Sequence, residues 1–185
     1  MRTAPVTDAE LAEQASRGSS EAFGALVERH AGRARRVARA ALPDPHDADD
    51  AVQDALFSAW RALGRFDPTR PFGPWFLRIV VNAAADLRRR RALRRTEDIP
   101  ESTPDPGSTP ERDTDRALLR EALDRALATL SERHRMALVL HDAEGYVHEE
   151  IAAMLGVPVG TVRSDVFHAR RAMRAALGPM GETNS

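Results

Sequence analysis

Arginine and aromatic side chains fall into register in the stretch "VGTVRSDVFHARRAMRAA", residues 159–176. At helical period, Arg163, Phe167, Arg170, Arg171 and Arg174 share one stripe, and Val162, Val166, Ala169 and Met173 share another at i, i+4, i+7 and i+11. Guanidinium groups recognise phosphate and can bind guanine through two hydrogen bonds at once. A helix with this division fits a major groove, with its N-terminal residues at the base edges. Thr161, Arg163, Ser164 and Phe167 are then placed for bases, and Arg170, Arg171 and Arg174 for phosphates. The plainer reading is a solvated helix whose arginines favour its negative end.

Other chemistry-bearing groups are sparser. Asp49, Gln53, Phe57 and Trp60 recur at spacings of three and four, with Asp50 and Asp54 as a neighbouring acidic strip. An acidic helix edge carrying aromatic side chains suits a partner helix bearing arginine. The alternative for the two aromatic residues is burial in the domain's own core, the expectation for Trp60. The carboxylates between 47 and 50 have no catalytic partner in view. His134, His141 and His148 are spaced by seven, but Gly145 interrupts the last two and no further ligand completes a metal site. No cofactor is expected. With no cysteine in the chain, disulfides, thiolate zinc sites and cysteine nucleophiles are excluded.

The elements that must carry these residues read as helices throughout. Ile151, Leu155, Val157 and Val162 supply a small core around a turn at Gly156, and Ala152, Gly156 and Val162 are spaced as in a helix-turn-helix. Helices are expected over about 114–129, 131–143, 148–155 and 160–177 in the C-terminal part of the chain. Towards the N-terminus, Thr7 and Glu10 form a capping box, Ser19 or Ser20 caps a second helix to about Leu42, and Asp44–Pro45 opens a third to about Leu63. Pro68, Pro71, Gly73 and Pro74 make a loop, and a fourth helix spans about Trp75 to Arg95. Trp75, Phe76 and Ile79 are expected to hold that helix to the core.

Residues 96–113 break the pattern with four prolines and six carboxylates against one arginine. They cannot build a core and read as a flexible linker, extended by its prolines. Its acid either solvates a tether, or keeps the tether off DNA or lets it mimic DNA inside a basic channel. The fold class is all-α: two small helical domains, 19–95 and 114–178, with an N-terminal segment 1–18 bearing a short helix and a tail 179–185.

Composition agrees with a globular protein: 42% hydrophobic and 30% charged residues, with a formal net charge of −1. All 27 basic residues are arginine, a bias that fits GC-rich codon usage as well as phosphate recognition. No apolar run approaches the roughly 18 residues of a membrane span, and the N-terminus lacks a signal-peptide core. No membrane insertion and a cytoplasmic location are therefore expected.

The stretch "DADDAVQDALFSAWRAL" followed by "FDPTRPFGPWFLRIVVNAAADLRRRR" resembles region 2 of a bacterial sigma factor, and the second unit resembles region 4. The order, linker and length are similar to the extracytoplasmic-function group of the sigma-70 family, which keeps only these two regions. The resemblance covers about residues 19–178. It implies a protein without catalytic activity that binds core RNA polymerase, directs it to promoter DNA and opens the −10 element. It implies polymerase binding at Asp49, Asp50, Gln53, Asp54 and Phe57. It also implies a −10 reader of Phe66, Arg70, Asn82, Asp86, Arg89 and Arg90, in which loop residues 66–73 shape a base pocket and the arginines, Arg88 included, hold phosphate. Reading of the −35 element falls to Thr161, Arg163, Ser164, Phe167, His168 and Arg171. An anti-sigma factor is expected as a further partner. Val147 stands where the family often has a Ser or Thr cap, and Asp165 and His168 stand where basic residues are common. Asp165 either accepts from cytosine or pairs with a nearby arginine. The competing reading is a free-standing helix-turn-helix regulator with an N-terminal sensing or dimerisation domain. An enzyme with a helical nucleic-acid domain lacks a catalytic constellation.

Overall fold

The computed structural model describes residues 6–97 and 114–178, and every regular element among them is helical. The expected linker begins within a helix at 96 and 97, and its remainder, 98–113, lies with residues 1–5 and the C-terminal tail outside the described residues. The described residues divide into two units, the first holding 6–97 with 153–156 and the second 114–152 with 157–178.

In the first unit, α1 (Asp8–Ser16) opens on the Thr7–Glu10 capping box, in which each residue's side chain accepts the other's backbone N–H. Gly18 ends it at φ +99°, a conformation that penalises a side chain. Helix α2 (Ser20–Ala41) is capped by Ser19, and α3 (Pro45–Ala62) by Asp44 with Pro45 at its first position. A single 3-10 turn, Leu63–Arg65, follows α3. Helix α4 (Phe72–Glu97) starts three residues earlier than the sequence suggests. Pro74 lies in its first turn, where a missing N–H costs no intrahelical hydrogen bond, so the helix absorbs the proline that had marked a loop.

Helices α2, α3 and α4 pack on one another, and α1 lies against α2. Small residues make the close approaches: Ala34, Ala38, Ala48, Ala51, Ala55 and Ala59 are all buried. Leu26, Val37, Leu63, Phe76, Leu77 and Val80 fill the space between them. Phe76 thus holds α4 as expected, whereas Trp75 and Ile79 are only half-buried and Leu77 and Val80 take the interior positions. The seam between α3 and α4 ends in ion pairs: Arg90 reaches Asp54 at 3.3 Å, and Arg91 closes on the buried Asp47. Burial pushes the Asp47 carboxyl above the ordinary range, against the opposing pull of Arg91.

In the second unit, α5 (Thr114–Ala128) and α6 (Glu132–Leu138) both pack on α8 (Val159–Leu177). Leu130, Leu138 and Ala169 form a buried cluster flanked by Leu127, Ala172 and Met173. Ser131 caps α6, whose last residues relax into a π turn over Val139–Ala143. Helix α7 (His148–Leu155) follows. Val147 offers no side-chain cap, but the Glu150 carboxylate accepts its backbone N–H at 3.1 Å, which keeps half of a capping box. Gly156 turns the chain at φ +67°, and the Val157 N–H returns to the Ala152 carbonyl at 3.1 Å, the closure of a Schellman turn.

Candidate nucleic-acid and polymerase interface

Helix α8 separates its two faces as its periodicity requires. Val162, Val166 and Ala169 are buried and Met173 half-buried, while Arg163, Ser164, Phe167, His168 and Arg171 are exposed and Thr161 is intermediate. Phe167 leaves 62% of its surface in solvent, a large apolar exposure on an arginine-rich face. Its ring meets that of His168 edge-on, with centroids 5.4 Å apart. Arg163 rests against Glu149 of α7 at 3.3 Å, an exposed pair that a stronger ligand can displace.

Two residues of this helix behave differently from their neighbours. Asp165 is 1% exposed, and Arg133 of α6 donates to its carboxylate at 2.9 Å. Of the two roles open to it in the sequence, the ion pair is the one formed. Arg170, expected at phosphate, grips both carboxylate oxygens of Asp142 in the free chain, and these hydrogen bonds raise its pKa further. The sequence could not show this, because Asp142 is brought to α8 by the π turn.

On α3, the outward edge carries Asp49, Asp50, Gln53, Asp54 and Phe57, all exposed. Phe57 is 73% exposed, the most open large apolar side chain among the described residues. Trp60, expected in the core, corrects that expectation: it stays 40% exposed and lays its ring near Phe23, centroids 5.0 Å apart. Position 60 falls on the outward side of α3, whose inward positions are held by Ala51, Val52, Ala55 and Ala59. Asp49 lies 3.9 Å from Arg35.

The loop between α3 and α4 is organised by aromatic packing. Phe66 contacts Phe72 edge-on at 5.7 Å and Trp75 at 4.7 Å between centroids. The carboxylate of Asp67 accepts from the backbone and hydroxyl of Thr69, and these two bonds lower its pKa. Arg70 is exposed and stands 3.7 Å from Asp67. One helical face of α4 then presents Asn82, Asp86, Arg89 and Arg90, all exposed. Asp86 is paired with Arg89, and Arg90 with Asp54, so the arginine run is partly neutralised within the unit itself. Phe66 is half-buried and Asn82 faces solvent.

Among the described residues no group of three or more potential metal ligands occurs. His141 and His148 do meet, with ring centroids 4.5 Å apart, because the turn at Gly145 folds one back over the other. His134 instead faces His168 at 5.9 Å. No described helix is long and apolar enough to cross a membrane.

These features define an all-helical protein with a helix-turn-helix whose second helix turns an arginine and phenylalanine stripe outward. Comparison with known proteins narrows the class. Residues 26–94 match the sigma-70 region 2 model and residues 120–173 the sigma-70 region 4 model. The RNA polymerase sigma factor NccH of Alcaligenes xylosoxydans xylosoxydans is 36% identical over 182 residues, covering 95% of this chain and 97% of its own. The extracytoplasmic-function sigma-E factor of Escherichia coli is 34% identical over 95% of this chain and 96% of its own. Among solved structures, CnrH in complex with the cytosolic domain of CnrY is 35% identical, with a TM-score of 0.67, covering 92% of this chain and 96% of that one. The chain belongs to the sigma-70 family of RNA polymerase sigma factors, in its extracytoplasmic-function group.

Proposed function

We propose that this chain is a sigma factor that binds core RNA polymerase and directs promoter-specific initiation, the region 2 unit (19–95) serving the polymerase and the −10 element and the region 4 unit (114–178) serving the −35 element, with 96–113 as the tether. The observation that carries the reading is the outward stripe of α8, where Arg163, Ser164, Phe167, His168 and Arg171 stand free of the core beside Thr161. An exposed phenylalanine between arginines suits a groove that offers base edges, thymine methyl groups and phosphates together. The exposed Phe57 within the acidic edge of α3 supports a polymerase contact through Asp49, Asp50, Gln53 and Asp54. Phe66, Arg70, Asn82, Asp86, Arg89 and Arg90 are assigned to the −10 element, where an exposed amide and cations beside an aromatic-lined loop suit an unstacked base and its phosphates. The protein works without catalysis of its own, in the cytoplasm with the polymerase.

An anti-sigma factor is a further partner on this reading. The sigma factor RpoE of Bartonella quintana, solved with the anti-sigma factor NepR, is 26% identical with a TM-score of 0.67 over 84% of this chain and 96% of that one. The family membership favours this account over a free-standing regulator. Site-specific photocrosslinking with reconstituted holoenzyme tests the residue assignments. A crosslinker at position 167 is expected to tag −35 base pairs and one at position 82 the −10 strand. Tagging of the opposite elements, or of no promoter DNA by either, overturns them.

A further inference from the structure

A buried carboxylate on a DNA-reading helix requires a reason. Asp165 sits one residue from the inward-facing Val166 and is 1% exposed. Arg133 donates from Nη2 to Oδ1 at 2.9 Å, and its Nε stands 2.9 Å from Oδ2, a buried oxygen that receives no hydrogen bond of its own and is balanced by charge alone. His134 follows, with Nε2 at 3.5 Å from the same carboxylate, and its ring lies nearly parallel to that of His168 on the outward face. Arg133 and His134 occupy the first turn of α6, where cations oppose the helix dipole and a carboxylate supplies the favoured charge.

We infer that the Arg133–Asp165 pair, rather than any contact of Asp165 with DNA, fixes the roll of the recognition helix, making both positioning residues for −35 reading. The inference rests on the assignment of α8 to the −35 element. Its physical basis is angular. An apolar side chain at position 165 would tolerate small rotations of α8, because dispersion contacts have no preferred direction. A directed, charge-assisted hydrogen bond onto a buried carboxylate tolerates them less, because it weakens as it bends. At the outer radius of about 6 Å, a roll of about 20° displaces the end of a side chain by about 2 Å. That is enough to take Arg163 out of hydrogen-bond range of a base edge, given a tolerance of a few tenths of an ångström. The near-parallel contact of His134 with His168, and the edge-on contact of His168 with Phe167, carry the same constraint from α6 to the outward face.

The test is equilibrium binding of reconstituted holoenzyme to a series of promoters with every −35 base pair substituted in turn, for the wild type, Arg133→Gln, Asp165→Asn and the double variant. Thermal melting is measured in parallel. The expected result is a loss of discrimination of about tenfold, a partial loss of the base contacts made by α8, spread over several −35 positions. It is the same in both single variants and no larger in the double, with core polymerase affinity retained. Loss confined to one base pair in Asp165→Asn, with Arg133→Gln unchanged, makes Asp165 a direct reader and overturns the proposal. A lowered melting temperature with unchanged discrimination reduces the pair to a stability element and also overturns it. Arg133 is largely exposed, so if Asp165→Asn fails to fold, Arg133→Gln alone decides. A wild-type holoenzyme indifferent to the −35 sequence removes the reading beneath the proposal, and the proposal with it.

Discussion

Replacing Arg163 by Ala isolates one base-reading side chain with little cost to the fold. In the free protein Arg163 is exposed and gives up a single ion pair, to Glu149 at 3.3 Å. Exposed pairs of this kind contribute about 0–1 kcal/mol, so the melting temperature is expected to fall by at most about 4–8 °C, the shift that about 1 kcal/mol gives in a unit of roughly 60–100 residues. A bidentate contact of arginine with guanine contributes about 1–3 kcal/mol of discrimination, or roughly 5- to 150-fold. Displacing Glu149 on binding consumes part of that, which leaves about tenfold as the central expectation. The assay is binding of holoenzyme to promoters with each base pair substituted at one −35 position after another. The variant is expected to lose its preference at one position and to keep it at the rest, with unaltered affinity for core polymerase. A uniform loss at all promoters, accompanied by failure to bind the polymerase, would refute the assignment of Arg163 to a base.

Three further perturbations probe other parts of the account. Phe57→Ala is expected to weaken core polymerase binding by more than tenfold, on the order of 2 kcal/mol for an interface hot spot, without changing the melt, because the ring is already in solvent; unchanged affinity in a titration of labelled protein would remove Phe57 from that interface. Arg171→Ala is expected to weaken binding alike at all −35 sequences and to reduce the slope of log K against log salt by about 0.9, the signature of one lost phosphate contact, and an unchanged slope contradicts it. At Asp8, burial raises the carboxyl, but hydrogen bonds and charge from Arg29 and His30 outweigh it and hold its pKa below the ordinary aspartate value of 3.8. The folded value lies below the unfolded one, so this contribution to stability is present above pH 3.8 and is lost as pH falls through the lowered value. Melts of wild type and Asp8→Asn are therefore expected to differ most near neutrality and to converge in acid, and a difference that widens below pH 3.8 would contradict the sign.

Much of this architecture is legible in the sequence because it is set locally. The Thr7–Glu10 box, the Ser19, Asp44 and Ser131 caps and the turn at Gly156 need only neighbours within a few residues, and each forms as its pattern suggests. The two faces of α8 follow from periodicity alone. What was not legible depends on partners distant in sequence. Pro74 looks like a helix breaker until its place in the first turn of α4 is known. Trp60 looks like core until the fold turns Ala55 and Ala59 of α3 inward and position 60 outward. Arg170 reads as a phosphate ligand, and its pairing in the free chain with Asp142, 28 residues away, is made only by the fold. Asp165 is the clearest case: the residue itself allows a base contact or an ion pair, and its burial against Arg133, 32 residues upstream, distinguishes them.

The central claim is that this chain confers promoter choice on a polymerase that lacks it. Run-off transcription with purified core RNA polymerase and a promoter selected by the reconstituted holoenzyme tests that most directly. The account predicts a transcript from a defined start only when the chain is added, and its loss when either the −10 or the −35 element is scrambled. Tight binding of the chain to that DNA without polymerase, with no effect on initiation, would contradict it.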